Sequence, residues 1–138
     1  MTNRILDPKS LNTDIVALLL RLILGGLMIY HGYGKLIAYD QILPIFGDII
    51  GIGSKLSFIL LIFAEFICGI LLVIGFLTRI TVIPIFIAMV VAFFIAHGKD
   101  PFQVKELAFV FMCLSIVIFV LGSGKYSMDK LIFRKAEN

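Results

Sequence analysis

The run Ile59-Leu-Leu-Ile-Phe-Ala-Glu-Phe-Ile-Cys-Gly-Ile-Leu-Leu-Val-Ile74 is apolar at every position except Glu65. Extended to Leu56–Leu77, it has the length and composition of a bilayer span, which needs roughly 20 predominantly apolar residues. It also holds an ionisable group near its middle. A charge at that depth costs at least about 2.5–3.5 kcal/mol on insertion scales, so it normally faces the bundle interior and has a partner. Glu65 is therefore either a lock between helices or a group that handles a proton or a polar ligand head.

Three further segments share this character: Ile15–Gly34, Ile80–Ala96 and Leu107–Leu121. The chain has 138 residues, 61% hydrophobic and 15% charged, and a mean hydropathy of +1.12. That length allows one domain. The expected fold is all-α, a four-transmembrane-helix bundle. The third segment is marginal in length, and the fourth reaches a full span only by borrowing Lys105 and Glu106 or the residues to Lys125; tilt or snorkelling absorbs such deficits. Residues 1–14 read as a polar lead, 15–132 as the membrane domain and 133–138 as a tail. The lead is too charged, and the first span too interrupted by Arg21, for a removable signal peptide.

Between the first two spans, residues 36–55 are too apolar for a free loop. Pro44, Gly47, Gly51 and Gly53 break them too often for a span, so they are expected to lie along the membrane interface. Tyr30, Tyr33 and Tyr39 suit an aromatic belt there. Thr13 or Asp14 is the expected cap of the first helix. Gly25, Gly26 and Gly32 would let a second helix approach it closely, and Ala88, Ala92 and Ala96 form a small-residue ridge on the third. Pro84 stands early in that third span, where it can bend it. A short amphipathic segment, Tyr126–Phe133, closes the pattern.

Basic residues set the orientation. The side holding both termini has Arg4, Lys9, Arg21, Arg79, Lys125, Lys130, Arg134 and Lys135, against Lys35, Lys55, Lys99 and Lys105 opposite. Eight against four places both termini in the cytoplasm. The net charge of +3 then needs no nucleic acid; membrane lipids, with anionic headgroups at the cytoplasmic surface, account for the basic tail. Cys68 and Cys113 lie within spans at similar depth, either as small hydrophobes or as a redox pair.

Depth arithmetic gathers the ionisable groups. At about 1.5 Å per residue, Arg21 lies about 9 Å, Glu65 about 18 Å and His31 about 24 Å above the cytoplasmic boundary. A polar track follows, with Lys35, His97 and Glu106 at the outer mouth and His31, Glu65 and Arg21 descending inward. Arg21 either pairs with Glu65 or reaches the headgroups. His31 and Lys35, four apart, share a helix face. Arg79 anchors the turn between the second and third spans. No metal-binding motif is present, so neither metal nor haem is expected.

The stretches Leu20-Arg-Leu22 with Gly25-Gly26, His31-Gly-Tyr-Gly-Lys-Leu36, Glu65 with Cys68-Gly69, and Leu71-Leu-Val-Ile-Gly-Phe-Leu-Thr-Arg79 resemble the DoxX family of small bacterial membrane proteins. Met89, Ala92, His97, Glu106 and the ending Leu121-Gly-Ser-Gly-Lys-Tyr-Ser-Met-Asp129 extend the resemblance over roughly residues 15–132. The family takes its name from the small subunit of an archaeal thiosulfate:quinone oxidoreductase, and relatives are linked to quinone or oxidative stress. The resemblance thus implies an inner-membrane, redox-associated protein with a quinone or similar lipophilic ring as candidate ligand. Arg21, His31 and Glu65 are the candidate catalytic residues, and Lys35, His97 and Glu106 the candidate cofactor-binding ones. Phe58, Phe63, Phe66, Phe93 and Phe94 would line the slot. Two alternatives stand beside it: a non-catalytic subunit that recruits or stabilises a redox enzyme partner, and a small proton-coupled carrier working as a homodimer.

Overall fold

The computed structural model describes residues 7–9 and 11–133. Four long helices dominate it: α1 (Thr13–Ile37), α3 (Ser54–Ile74), α4 (Thr78–Ala96) and α5 (Phe102–Leu121). The short α2 (Tyr39–Ile42) follows α1, and α6 (Met128–Phe133) follows α5. At about 1.5 Å per residue, helices of 25, 21, 19 and 20 residues are about 28–38 Å long, enough to cross the roughly 30 Å hydrocarbon core. They run alternately up and down. α1 packs on α3 and α5, α3 on α4, and α4 on α5.

Spacing of the apolar side chains explains the closure. Leu24 and Met28 of α1, Cys68 and Leu72 of α3, Val82, Ile85 and Met89 of α4, and Phe111 and Ile118 of α5 form one buried core. Steps of three, four and seven keep each set on one helix face. The outward faces are also apolar; Leu19, Ile23, Ile87, Val117 and Val120 are among the exposed side chains. A water-soluble bundle would carry polar residues there, whereas hydrocarbon accepts them.

Helix ends differ from the sequence expectation in instructive ways. Asn12 caps α1, its Oδ1 accepting from the backbone N–H of Asp14 (3.0 Å) and Ile15 (3.2 Å); neither Thr13 nor Asp14 does. Asp14 instead accepts the Lys125 N–H at 2.9 Å. The fourth helix starts at Phe102, five residues earlier than its apolar run. Lys105 is accommodated by folding over the Phe93 ring (4.7 Å) and donating to the Gly98 carbonyl (3.2 Å).

The 36–55 connection does not span. It forms α2, a 3₁₀ turn (Leu43–Ile45) and an irregular stretch before α3. Tyr39 stacks on Phe58 and Phe46 lies tilted against it, with ring centroids 5.4 and 4.8 Å apart, so the segment packs against the first turns of α3. Arg4, Arg134 and Lys135, counted among the basic residues, lie outside the described residues.

Between α3 and α4 the chain turns in three residues. Gly75 adopts the left-handed conformation (φ 73°) and Phe76 N–H bonds back to Leu71 O at 2.9 Å, a Schellman ending that satisfies carbonyls of the last turn. Leu77 is also left-handed, φ 47°, which costs a side-chain-bearing residue roughly 1–2 kcal/mol. Asp129 holds it there. Its carboxylate accepts from Leu77 N–H (2.6 Å) and Thr78 N–H (3.0 Å), while its own N–H donates to Gly75 O (3.0 Å). The cap of α4 thus comes from α6, 51 residues further along the chain.

Candidate functional site

Glu65 occupies a π-helical turn, Phe63–Ile67, in the middle of α3. Such a turn inserts a residue into the helical register, and single π turns are frequent at functional sites. Glu65 is 5% exposed. Its Oε2 accepts from Lys35 Nζ at 2.6 Å, and the lysine side chain remains a quarter exposed. Lys35, in the last turn of α1, therefore turns its ammonium inward rather than toward headgroups.

Two glycines make this possible. At Gly32 a Cβ would lie 2.6 Å from Phe66 N, and at Gly25 one would lie 2.7 Å from Val73 Cγ2. The backbones of α1 and α3 touch along this line, which puts Glu65 one turn of α1 away from Lys35. Gly26, by contrast, faces open space.

Arg21 does not meet Glu65. Its guanidinium is fully buried and donates to the carbonyls of Val73 (3.1 Å) and Tyr126, with Asp129 the carboxylate whose charge acts on it. Val73 is eight residues from Glu65, about 12 Å along the helix. The depth arithmetic failed because it treated the helix ends as flush. Contacts at Gly25 and Gly32 show that α1 overhangs α3 at the terminus-bearing end, so Glu65 is level with Gly32 and not midway to Arg21.

The remaining candidates disperse. His31 is half-buried, its ring edge-on to Phe111 (6.0 Å) and Tyr30 (5.5 Å); it stands one helical turn before Lys35 on α1. His97 pairs with Asp100, Nδ1 to Oδ2 2.7 Å, both about half exposed. Glu106 is exposed on the first turns of α5. Neither joins Lys35. The phenylalanines likewise divide: Phe58 packs under the 36–55 connection, Phe66 lies beside Tyr33 (6.2 Å), and Phe93 and Phe94 belong to a cluster with Phe102 and Phe109. Cys68 is buried in the core and Cys113 is half-buried; both are free thiols. Among the described residues no three His, Cys, Asp or Glu side chains gather as a metal site.

Two polar centres result. One is the Lys35–Glu65 pair, with His31 one turn of α1 before Lys35. The other, which the sequence did not suggest, is a clasp at the terminus-bearing end built from Arg21, Asp129 and Asp14. The pair offers an ammonium donor and a carboxylate in one dry location, a combination able to hydrogen-bond an oxygen and pass it a proton. The clasp has its charges directed at backbone groups and binds the fold.

No curated protein and no solved structure matched the chain. The family model described as DoxX matches residues 16–98, from the first turns of α1 to just beyond α4, and so includes Arg21, His31, Lys35, Glu65 and His97. More than half of the sequence lies inside that match and four helices suit a bilayer: the chain is a multi-pass membrane protein and belongs to the DoxX family.

Proposed function

We propose that this protein is a redox-associated subunit of the bacterial inner membrane that binds an oxygen-bearing lipophilic ring, of the quinone class, at Lys35 and Glu65. The observation that carries the proposal is a buried carboxylate on a π-helical turn, joined to an inward-turned lysine. Lys35 Nζ would donate to a ring oxygen. Glu65 would hold or pass the proton that this oxygen gains on reduction, and His31, four residues before Lys35, would resupply it. Tyr33 and Phe66, whose rings lie 6.2 Å apart, would offer the ligand aromatic surface. When bound, the ring would supply the two-electron chemistry, with electrons drawn from a redox enzyme partner.

An ammonium donor and a carboxylate 2.6 Å apart support a ligand oxygen that must be both bonded and supplied with a proton. Orientation follows from the basic residues, with both termini cytoplasmic; reporter fusions at either end test this.

A saturable ubiquinone-analogue titration in nanodiscs is the decisive experiment. Wild-type protein should bind, and the folded fraction of Glu65→Gln, isolated by size exclusion, should bind at least about tenfold more weakly, the loss of one charge-assisted hydrogen bond. No saturable binding by the wild type sinks the proposal. A second reading, the non-catalytic subunit, is favoured by one observation: the ion pair bridges the same two helices that meet at Gly32. It expects Glu65→Gln to assemble poorly instead.

A further inference from the structure

The Lys35–Glu65 pair stands toward the end of the bundle away from the termini. Lys35 is two residues before the end of α1 (Thr13–Ile37), about 3 Å along the axis. Its side chain is 26% exposed, against 6% for Glu65. Beyond it the chain enters α2 and the 36–55 connection, where Asp40, Gln41 and Asp48 are exposed. Water at this end therefore meets the lysine, and the lysine touches the carboxylate. Toward the termini the surroundings change. Glu65 is level with Gly32, and α1 runs eleven residues from there to Arg21, about 16 Å. Met28 and Leu24 of α1, Cys68 and Leu72 of α3, and Val82 and Ile85 of α4 fill the interior over that distance, none more than 2% exposed. The buried Ser115 hydroxyl of α5 donates to Phe111 O of its own helix at 2.7 Å. Arg21, itself 0% exposed, ends this plug with its guanidinium on the Val73 and Tyr126 carbonyls.

We infer that Glu65 exchanges its proton with the aqueous phase on the terminus-free side alone, the bundle being closed to protons from the side that holds the termini. A buried water needs about three polar partners, and the side chains of the plug supply none. A bare ion fares worse, because an unpaired charge in such a medium is costlier than an unpaired dipole, and the fixed charge of Arg21 repels it. On the open side, each proton taken up turns the pair from neutral to a single positive charge: the lysine stays an ammonium and the carboxylate becomes a carboxyl. The π turn packs on α1 and α4. α1 brings Lys35 and, one turn before it, His31; Asp14 and Arg21 lie toward its other end, and Tyr30 and Tyr33 are exposed. The one charged residue of α4 is Arg79, at its far end, and His97 beyond its last turn is paired with Asp100. On α5, Glu106 is exposed, Lys105 lies over Phe93, and Cys113 is a free thiol. The inference concerns the pair itself and stands whether or not a ring binds there. On the reading proposed above, it means that protons accompanying reduction of the ring come from the terminus-free side.

Infrared spectroscopy of proteoliposomes, without any quinone, tests this. Isotope-labelled glutamate in a Glu106→Gln/Glu137→Gln variant leaves Glu65 as the one labelled side-chain carboxyl, and the site itself is untouched. An affinity tag on the N-terminus sorts vesicles into those with the termini outside and those with the termini inside, and an entrapped dye reports the lumenal pH. A shift of the external buffer from about pH 9 to about pH 4, which spans ordinary glutamate titration, should raise the labelled carboxyl band where the termini are inside, before the lumen acidifies. Where the termini are outside, the band should stay flat until nigericin carries the change into the lumen. Growth of the band before nigericin in that second population overturns the inference and favours a proton path through the bundle. A band that fails to grow in either population after nigericin overturns it as well, because Glu65 would then exchange with neither side.

Discussion

Lys35 and Glu65 form an ion pair whose carboxylate is buried, and buried pairs are asymmetric in what they tolerate. Removing one partner strands the other charge, at roughly 3–5 kcal/mol, whereas replacing both by apolar residues is often neutral. Lys35→Met should therefore destabilise the bundle markedly, and Lys35→Met/Glu65→Leu should recover most of the loss. A double-mutant cycle in mixed-micelle unfolding measures this; additive effects would show that the 2.6 Å contact carries no coupling. Glu65 was legible as an inward-facing, partnered residue because the cost of its burial is independent of fold detail. Its partner was not. Arg21 and Lys35 are both cations on α1, and only the offset of α1 against α3 decides between them. Neither apolar run, with its soft ends, encodes that offset.

At the level of helices, the contact between α1 and α3 depends on missing side chains. Gly32→Ala would drive a Cβ to 2.6 Å from Phe66 N, and Gly25→Ala one to 2.7 Å from Val73 Cγ2. Each should cost about 1–3 kcal/mol, as overpacking does. Gly26→Ala, which meets nothing within 4 Å, should be neutral or slightly stabilising, since alanine is the better helix former. The same unfolding assay ranks the three, and a Gly26→Ala as damaging as Gly32→Ala would contradict this helix contact. In sequence the three glycines are equivalent, a set suited to close approach; their facing separates them. The four helices themselves were plain from length and hydropathy. The π turns at Phe63–Ile67 and Ala92–Ala96 were not, because one additional residue per turn leaves an apolar run looking the same.

For the molecule as a whole, the segment after α5 is a clasp. The sequence showed Lys125–Lys135 as a basic stretch for lipid headgroups, which describes its charge but not Asp129. That aspartate caps α4 and steadies the left-handed Leu77. Asp129→Ala should lower stability by about 0.5–2 kcal/mol, the usual worth of an N-cap, and should loosen residues 122–133 toward protease. Limited proteolysis in micelles compares the variant with wild type; identical cleavage would mean that the segment is held by other contacts.

The bond from Arg21 to the Tyr126 carbonyl joins residues 105 positions apart, and this separation has a consequence for biosynthesis. Translation at roughly 5–20 residues per second leaves about 5–20 s between the appearance of the guanidinium and that of its acceptor. For about the first half of that interval, until Val73 is made, α1 is a nascent membrane helix with an unsatisfied cation two turns from its start, and afterwards only one of its two backbone acceptors exists. Headgroups and water at the bilayer surface must solvate it, which holds the helix shallow. α1 therefore enters the membrane first among the helices yet reaches its final depth only after Tyr126 has been made.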